Sequence, residues 1–193
     1  EIRRLVAPYL DQYQALQPKL HFRSGMRANA LALPGGDIVF TDEFITLAEN
    51  DEELLAVFFH ELGHLKHRHI TRRVLQDSMI TLMVVFITGD LDTLDLVTGL
   101  PTLIVDLSYS RQFEIEADTY ALQQMHKESI PLKHFSSIMK RLEDFYDKDL
   151  SGEEKKSGGR FKTPDFLSTH PPTEERVKLA KQMIKDYQND ALE

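Results

Sequence analysis

The stretch HELGHLKHRHITRR, residues 60–73, places four histidines within ten positions. Its surroundings have apolar residues at helical spacing, and Asn50 stands three residues ahead of Glu53, a capping-box spacing at the head of the run. The pattern predicts one long helix over roughly residues 51–75. On a helix, residues four apart lie about 40° apart around the axis and about 6 Å apart along it. His60 and His64 therefore point the same way and can reach one tetrahedral metal ion. Glu61 is turned by about 100° from His60. It flanks the ion without ligating it, where a carboxylate can take a proton from a water that the metal activates. Gly63 leaves room beside the site for another backbone. His67 is on the His60 stripe but about 10 Å further along, so it flanks. His69 falls on roughly the opposite side, where packing or a surface hydrogen bond is expected.

A catalytic zinc needs a third protein ligand and an open fourth position. The second motif, SRQFEIEAD at residues 110–118, can supply the ligand through Glu114. Asp118, one turn on, can hydrogen-bond the far nitrogen of a ligand histidine and raise its basicity. Glu116 is the rival ligand, turned by about 200° from Glu114, so only one of the two can face the ion. Asp118 at i+4 favours Glu114.

The rest of the chain limits the alternatives. It has 193 residues, enough for one domain with a sizeable core. A formal net charge of -8 without a long basic block argues against nucleic-acid binding through phosphate neutralisation. There is no cysteine, so any metal is held by His, Asp or Glu. The chain opens in helix-like sequence without an initiator Met, which reads as a domain excised from a longer protein. Residues 1–17 have helical spacing interrupted at Pro8, and strand-like runs follow at 19–24, 28–34 and 37–41. Pro34, Gly35 and Gly36 make the turn between the last two. Two apolar runs within 79–107, separated by GDLDTLD, are each about half of the ~20 residues that span a bilayer. They are expected to form an apolar hairpin or flap. Helical patterns resume around 108–127, 131–149 and 172–189, and a polar, Gly-rich mobile loop is expected over 151–164. The fold class expected is α+β, mainly helical, with a small N-terminal sheet.

HELGH, then SRQFEIEAD, then STHPPTEER together resemble the HtpX and CAAX-prenyl-protease type family of zinc metallopeptidases, gluzincins that include the BepA-like envelope proteases. The resemblance runs from about Asn29 to Arg176, and NALALPGGDIVFT is similar to the family's strand pair leading to the metal helix. It implies a zincin-like domain with one zinc ion held by His60, His64 and Glu114. It makes Glu61 the general base, puts Asp118 behind the ligands and brings His170 to the cleft. Arg176 could anchor the same segment through a carboxylate. It also implies a protein or peptide substrate and a cell-envelope setting, periplasmic or membrane-associated. In membrane-embedded relatives the segment after the HExxH helix contributes membrane spans. Here two short apolar runs broken by acids argue against an intramembrane protease, though contact with a membrane surface through 79–107 stays open.

The function expected is a zinc metalloendopeptidase, with an extended substrate pairing to a strand edge in 28–41. The main rival is a latent-zinc binding or chaperone-like module, whose mark would be loss of Glu61. A second rival, an exopeptidase, would need a charged pocket for a substrate terminus. His170 could donate to the oxyanion or swing onto zinc as a fourth ligand and displace the catalytic water.

Overall fold

In the computed structural model, residues 2–88, 109–152 and 166–190 are described. Helix α1 (Ile2–Gln12) carries Pro8 inside it, and a 3-10 turn (Gln14–Leu16) leads to the sheet. Strands β1 (Lys19–Arg23), β2 (Ala30–Ala32) and β3 (Asp37–Thr41) follow. The strand order is β1-β3-β2, with β1 parallel and β2 antiparallel to β3. The turn before β3 needs glycine at Gly36. Its φ is +95°, and a Cβ there would come within 2.5 Å of Gln17 O. The three strands and this turn match the expectation from sequence.

Thr41 ends the sheet and starts α2 (Asp42–Leu47), its side chain accepting from Phe44 N–H. Asn50 then caps α3 (Asp51–Lys66) by accepting from Glu53 N–H. Glu53 reaches back to Glu49 N–H at 2.9 Å, a capping box displaced by one residue. Every residue of α3 from Glu53 to His64 is buried, because the helix packs against α1, β2 and two later helices at once.

The helix expected over 51–75 is in fact two. His67 ends α3, Arg68 adopts a left-handed φ of +53°, and α4 (His69–Thr88) sets off in a new direction. A left-handed non-glycine residue costs roughly 1–2 kcal/mol. Burial of His69 against the ring of Phe113, with centroids 4.4 Å apart and nearly parallel planes, offsets that strain.

The remaining helices are α5 (Arg111–Lys127), α6 (Lys133–Gly152), the short α7 (Phe166–Thr169) and α8 (Glu174–Asp190). Ser110 caps α5 by accepting from Phe113 N–H. Thr173, just after the two prolines, accepts from Arg176 N–H at 3.3 Å at the start of α8. The first apolar run of 79–107 lies in α4, and the second lies outside the described residues. The loop expected over 151–164 begins inside α6, and the rest of it is likewise outside them. No described helix is long and apolar enough to cross a membrane. The architecture is α+β and mainly helical, with α3 at its centre.

Candidate active site

Two helices carry the candidate residues, and glycine sets their distance. A Cβ on Gly63 would lie 3.0 Å from Ala117 Cα and 3.2 Å from Ala117 O, so α3 and α5 touch backbone to backbone. This is the close approach expected of Gly63. It brings His60 and His64 of α3 against Glu114 of α5.

His60 Nε2 and His64 Nε2 are 3.0 Å apart. The Glu114 carboxylate lies 3.5 Å from the first and 3.4 Å from the second. His170 Nδ1 sits 3.2 Å from His60 Nε2 and 3.1 Å from Glu114 Oε1. Four-coordinate zinc, with bonds of about 2.0–2.1 Å, spaces its donors about 3.3 Å apart. The donor set and its separations therefore fit one such ion, without sulfur. All four residues are fully or almost fully buried.

Glu61 stands beside this cluster with its Oε1 3.4 Å from His170 Nε2. Both of its carboxylate oxygens are buried, with the backbone N–H of Ala32 and the His170 ring as their polar neighbours. A buried carboxylate with so few donors around it is costly, which marks a group kept for something that binds there. Burial pushes its pKa up, against the pull of His170 and His60.

Behind the donors, His60 Nδ1 faces Asp118 Oδ1 at 2.9 Å. Asp118 accepts two hydrogen bonds from Arg176, whose Nη1 also lies 2.8 Å from Glu114 Oε2. The same guanidinium donates to the backbone carbonyls of His170 and Pro171. Burial alone would raise the pKa values of Glu114 and Asp118. The charges of His170 and Arg176 at Glu114, and of Arg176 at Asp118, outweigh it and keep both carboxyls below the usual range.

The structure thus brings His60, Glu61, His64, Glu114, Asp118, His170 and Arg176 together. Glu116 points away, to His69 and Arg72, and His67 is partly exposed 3.8 Å from Glu116. His69 corrects the helix geometry drawn from sequence. It is buried, and its Nδ1 meets His64 Nδ1 at 2.8 Å. The turn at Arg68 swings it back, and no glycine, proline or asparagine announces that turn. Tyr109 was not singled out either. Its ring stacks on His64 with centroids 3.8 Å apart, and its hydroxyl donates to Ala32 O at 3.3 Å. Ala32 and Ala30 direct their carbonyls away from β3, since the flanking Asn29 and Leu33 make the pairing bonds to it. Ala30 O meets His170 Nε2 at 3.3 Å.

The chain is 28% identical over 154 residues to the mitochondrial metalloendopeptidase OMA1 of Arabidopsis thaliana, covering 80% of this chain and 29% of that protein. It is 24% identical over 166 residues to the beta-barrel assembly-enhancing protease of Escherichia coli K12, covering 79% and 31%. A protease HtpX homolog of Helicobacter pylori is 24% identical over 209 residues, covering 95% and 67%. The chain spans about a third of the length of the first two. The family described as peptidase family M48 matches residues 1–184, and the chain belongs to that family.

Proposed function

We propose that the chain is a zinc-dependent metalloendopeptidase that hydrolyses peptide bonds of protein substrates. The observation that carries this reading is the buried corner of His60, His64 and Glu114 with the buried Glu61 carboxylate beside it. Bound there, zinc would polarise the scissile carbonyl and lower the pKa of an attacking water. Glu61 takes that water's proton and returns it to the leaving amine. Its burial-raised pKa suits a base that must also act as an acid. Asp118 and Arg176 hold His60 and Glu114 in place from behind. An extended substrate would align on the edge of β2 that pairs with no described strand, whose outward carbonyls are Ala30 O and Ala32 O.

A specific observation also favours latency in the resting state. His170 Nε2 meets Ala30 O, and its Nδ1 faces His60 and Glu114 at the fourth corner, where as a neutral ring it would ligate a bound ion. His170 therefore blocks both the open metal position and part of the substrate edge. It also lines a cavity of about 380 Å³ shared with Phe135, Met139, Phe166 and Val177.

Relatives named as mitochondrial or as beta-barrel assembly-enhancing support an envelope setting and a part in protein quality control there. Zinc content and cleavage of an unfolded protein such as casein test the reading. Glu61→Gln should keep the metal and lose proteolysis, since it removes the base and no ligand. Wild-type turnover by that variant would sink the mechanism. His170→Ala should raise peptidase activity if latency holds, and unchanged activity with unchanged zinc affinity would remove His170 from the site.

A further inference from the structure

We propose that His69 is a positioning residue for the metal site, fixing the tautomer and orientation of His64 and itself fixed by Glu116. This rests on the reading above that His64 Nε2 ligates a metal ion. A ligand imidazole gives its Nε2 lone pair to the ion, so its one proton is on Nδ1. His64 Nδ1 therefore donates to His69 Nδ1, 2.8 Å away. His69 must accept there, which puts its own proton on Nε2. That nitrogen donates to Glu116 Oε2 at 3.1 Å. Glu116 Oε2 also accepts from Arg72 Nη1 at 2.8 Å, and Gln112 Nε2 donates to Glu116 Oε1 at 3.3 Å. Every proton along Arg72, Glu116, His69 and His64 has a single place.

The two ligand histidines are served differently. His60 faces its carboxylate, Asp118, directly at 2.9 Å. His64 reaches a carboxylate only through the ring of His69. That ring stacks with Phe113 and with His67, with centroids 4.4 and 5.3 Å away and planes within 4° and 13° of parallel.

His67, His69 and Glu116 also present donor atoms within 4.8 Å of one another, which raises the question of a second cation there. The proton placement rules against it. A cation on His69 Nε2 would drive the proton to Nδ1, where it would face the Nδ1 proton of His64. Arg72 already covers the carboxylate. The cluster serves the first site.

Partners behind metal ligands typically change metal affinity by about 10–100-fold. His69→Phe keeps a flat ring on Phe113 and removes both nitrogens. His69→Gln can still accept from His64 and donate to Glu116. Zinc affinity is read by competition with a chromophoric chelator, the ligand field by the visible spectrum of the cobalt-loaded chain, and folding by circular dichroism without metal. His69→Phe should lose about 10–100-fold in zinc affinity with a shifted cobalt spectrum and unchanged metal-free folding. His69→Gln should recover most of the loss. Glu116→Gln should weaken binding by itself and add nothing in the His69→Phe background, because it acts through His69. Wild-type affinity in a folded His69→Phe or Glu116→Gln chain would overturn the proposal. So would a loss that glutamine does not reduce, or additive losses in the double variant. Failure of the wild-type chain to take up zinc at all would instead overturn the metallopeptidase reading, and this inference with it.

Discussion

Arg176 and Asp118 meet through two parallel hydrogen bonds, Nε to Oδ2 at 2.6 Å and Nη2 to Oδ1 at 2.8 Å, with both residues buried. Such a forked pair fixes geometry as well as charge. Arg176→Ala would leave Asp118 and Glu114 buried without their cation. It should cost about 3–5 kcal/mol of stability in urea unfolding. Arg176→Lys restores the charge without the fork and should recover only part of that loss. A loss below about 1 kcal/mol in the alanine variant would show that the pair is not needed.

Gly63 makes a second, steric prediction. Alanine is the better helix former by about 1 kcal/mol. Its Cβ, however, would press on Ala117 Cα at 3.0 Å, and a backbone atom cannot rotate aside. Overpacking of this kind costs about 1–3 kcal/mol, so Gly63→Ala should be net destabilising. Because α3 and α5 carry the donors, zinc affinity should fall with it. Equal or greater stability with unchanged affinity would show that the helices have slack.

Stability should fall in mild acid. Burial pulls His69 from its ordinary 6.5 down to about 4, and burial with the nearby His60 and His170 lowers His64 well below it. The unfolded chain takes up these protons first, so stability is full above about pH 6.5 and declines toward pH 4. Burial raises the Glu116 pKa, but hydrogen bonds from His69 and Arg72 outweigh this and bring it to about 2. Its contribution is present above 4.5 and is lost between there and about pH 2. Urea midpoints of the metal-free chain across this range measure both losses. His69→Phe should flatten the upper part of the curve, and an unaltered slope in that variant would contradict the assignment.

Helix α4 exposes Leu75, Met79, Met83 and Phe86 at spacings of four, four and three, a single apolar stripe. Phe86 is 89% exposed. A stripe of this kind suits a membrane interface. We expect the chain to float with phospholipid vesicles and Met83→Glu/Phe86→Glu to stay behind. If both remain in the aqueous phase, the membrane contact is wrong.

Much of this was legible in the sequence because it depends on local spacing. His60 and His64 share a helical stripe, alternation marks β1, a short apolar run marks β3, and Pro34-Gly35-Gly36 can hardly be anything but a turn. Asn50 with Glu53 announced the start of α3. The left-handed Arg68 was not legible, since long-range burial of His69 imposes it against the residue's own preference. Losing that turn meant losing the partner of His64. Tyr109 was hidden for a similar reason. Its stacking on His64 and its bond to Ala32 join residues far apart in the chain, which no local pattern records.

The bonds from His170 and Tyr109 to Ala30 O and Ala32 O bear on more than peptide access. A short strand with free outward carbonyls invites a neighbouring molecule to add a strand of its own, the first step toward aggregation. Two side chains from distant parts of the sequence occupy those carbonyls and deny that pairing. Opening the edge to a substrate therefore opens it to other copies of the chain as well, so crowding should favour the closed arrangement only while these two caps stay in place.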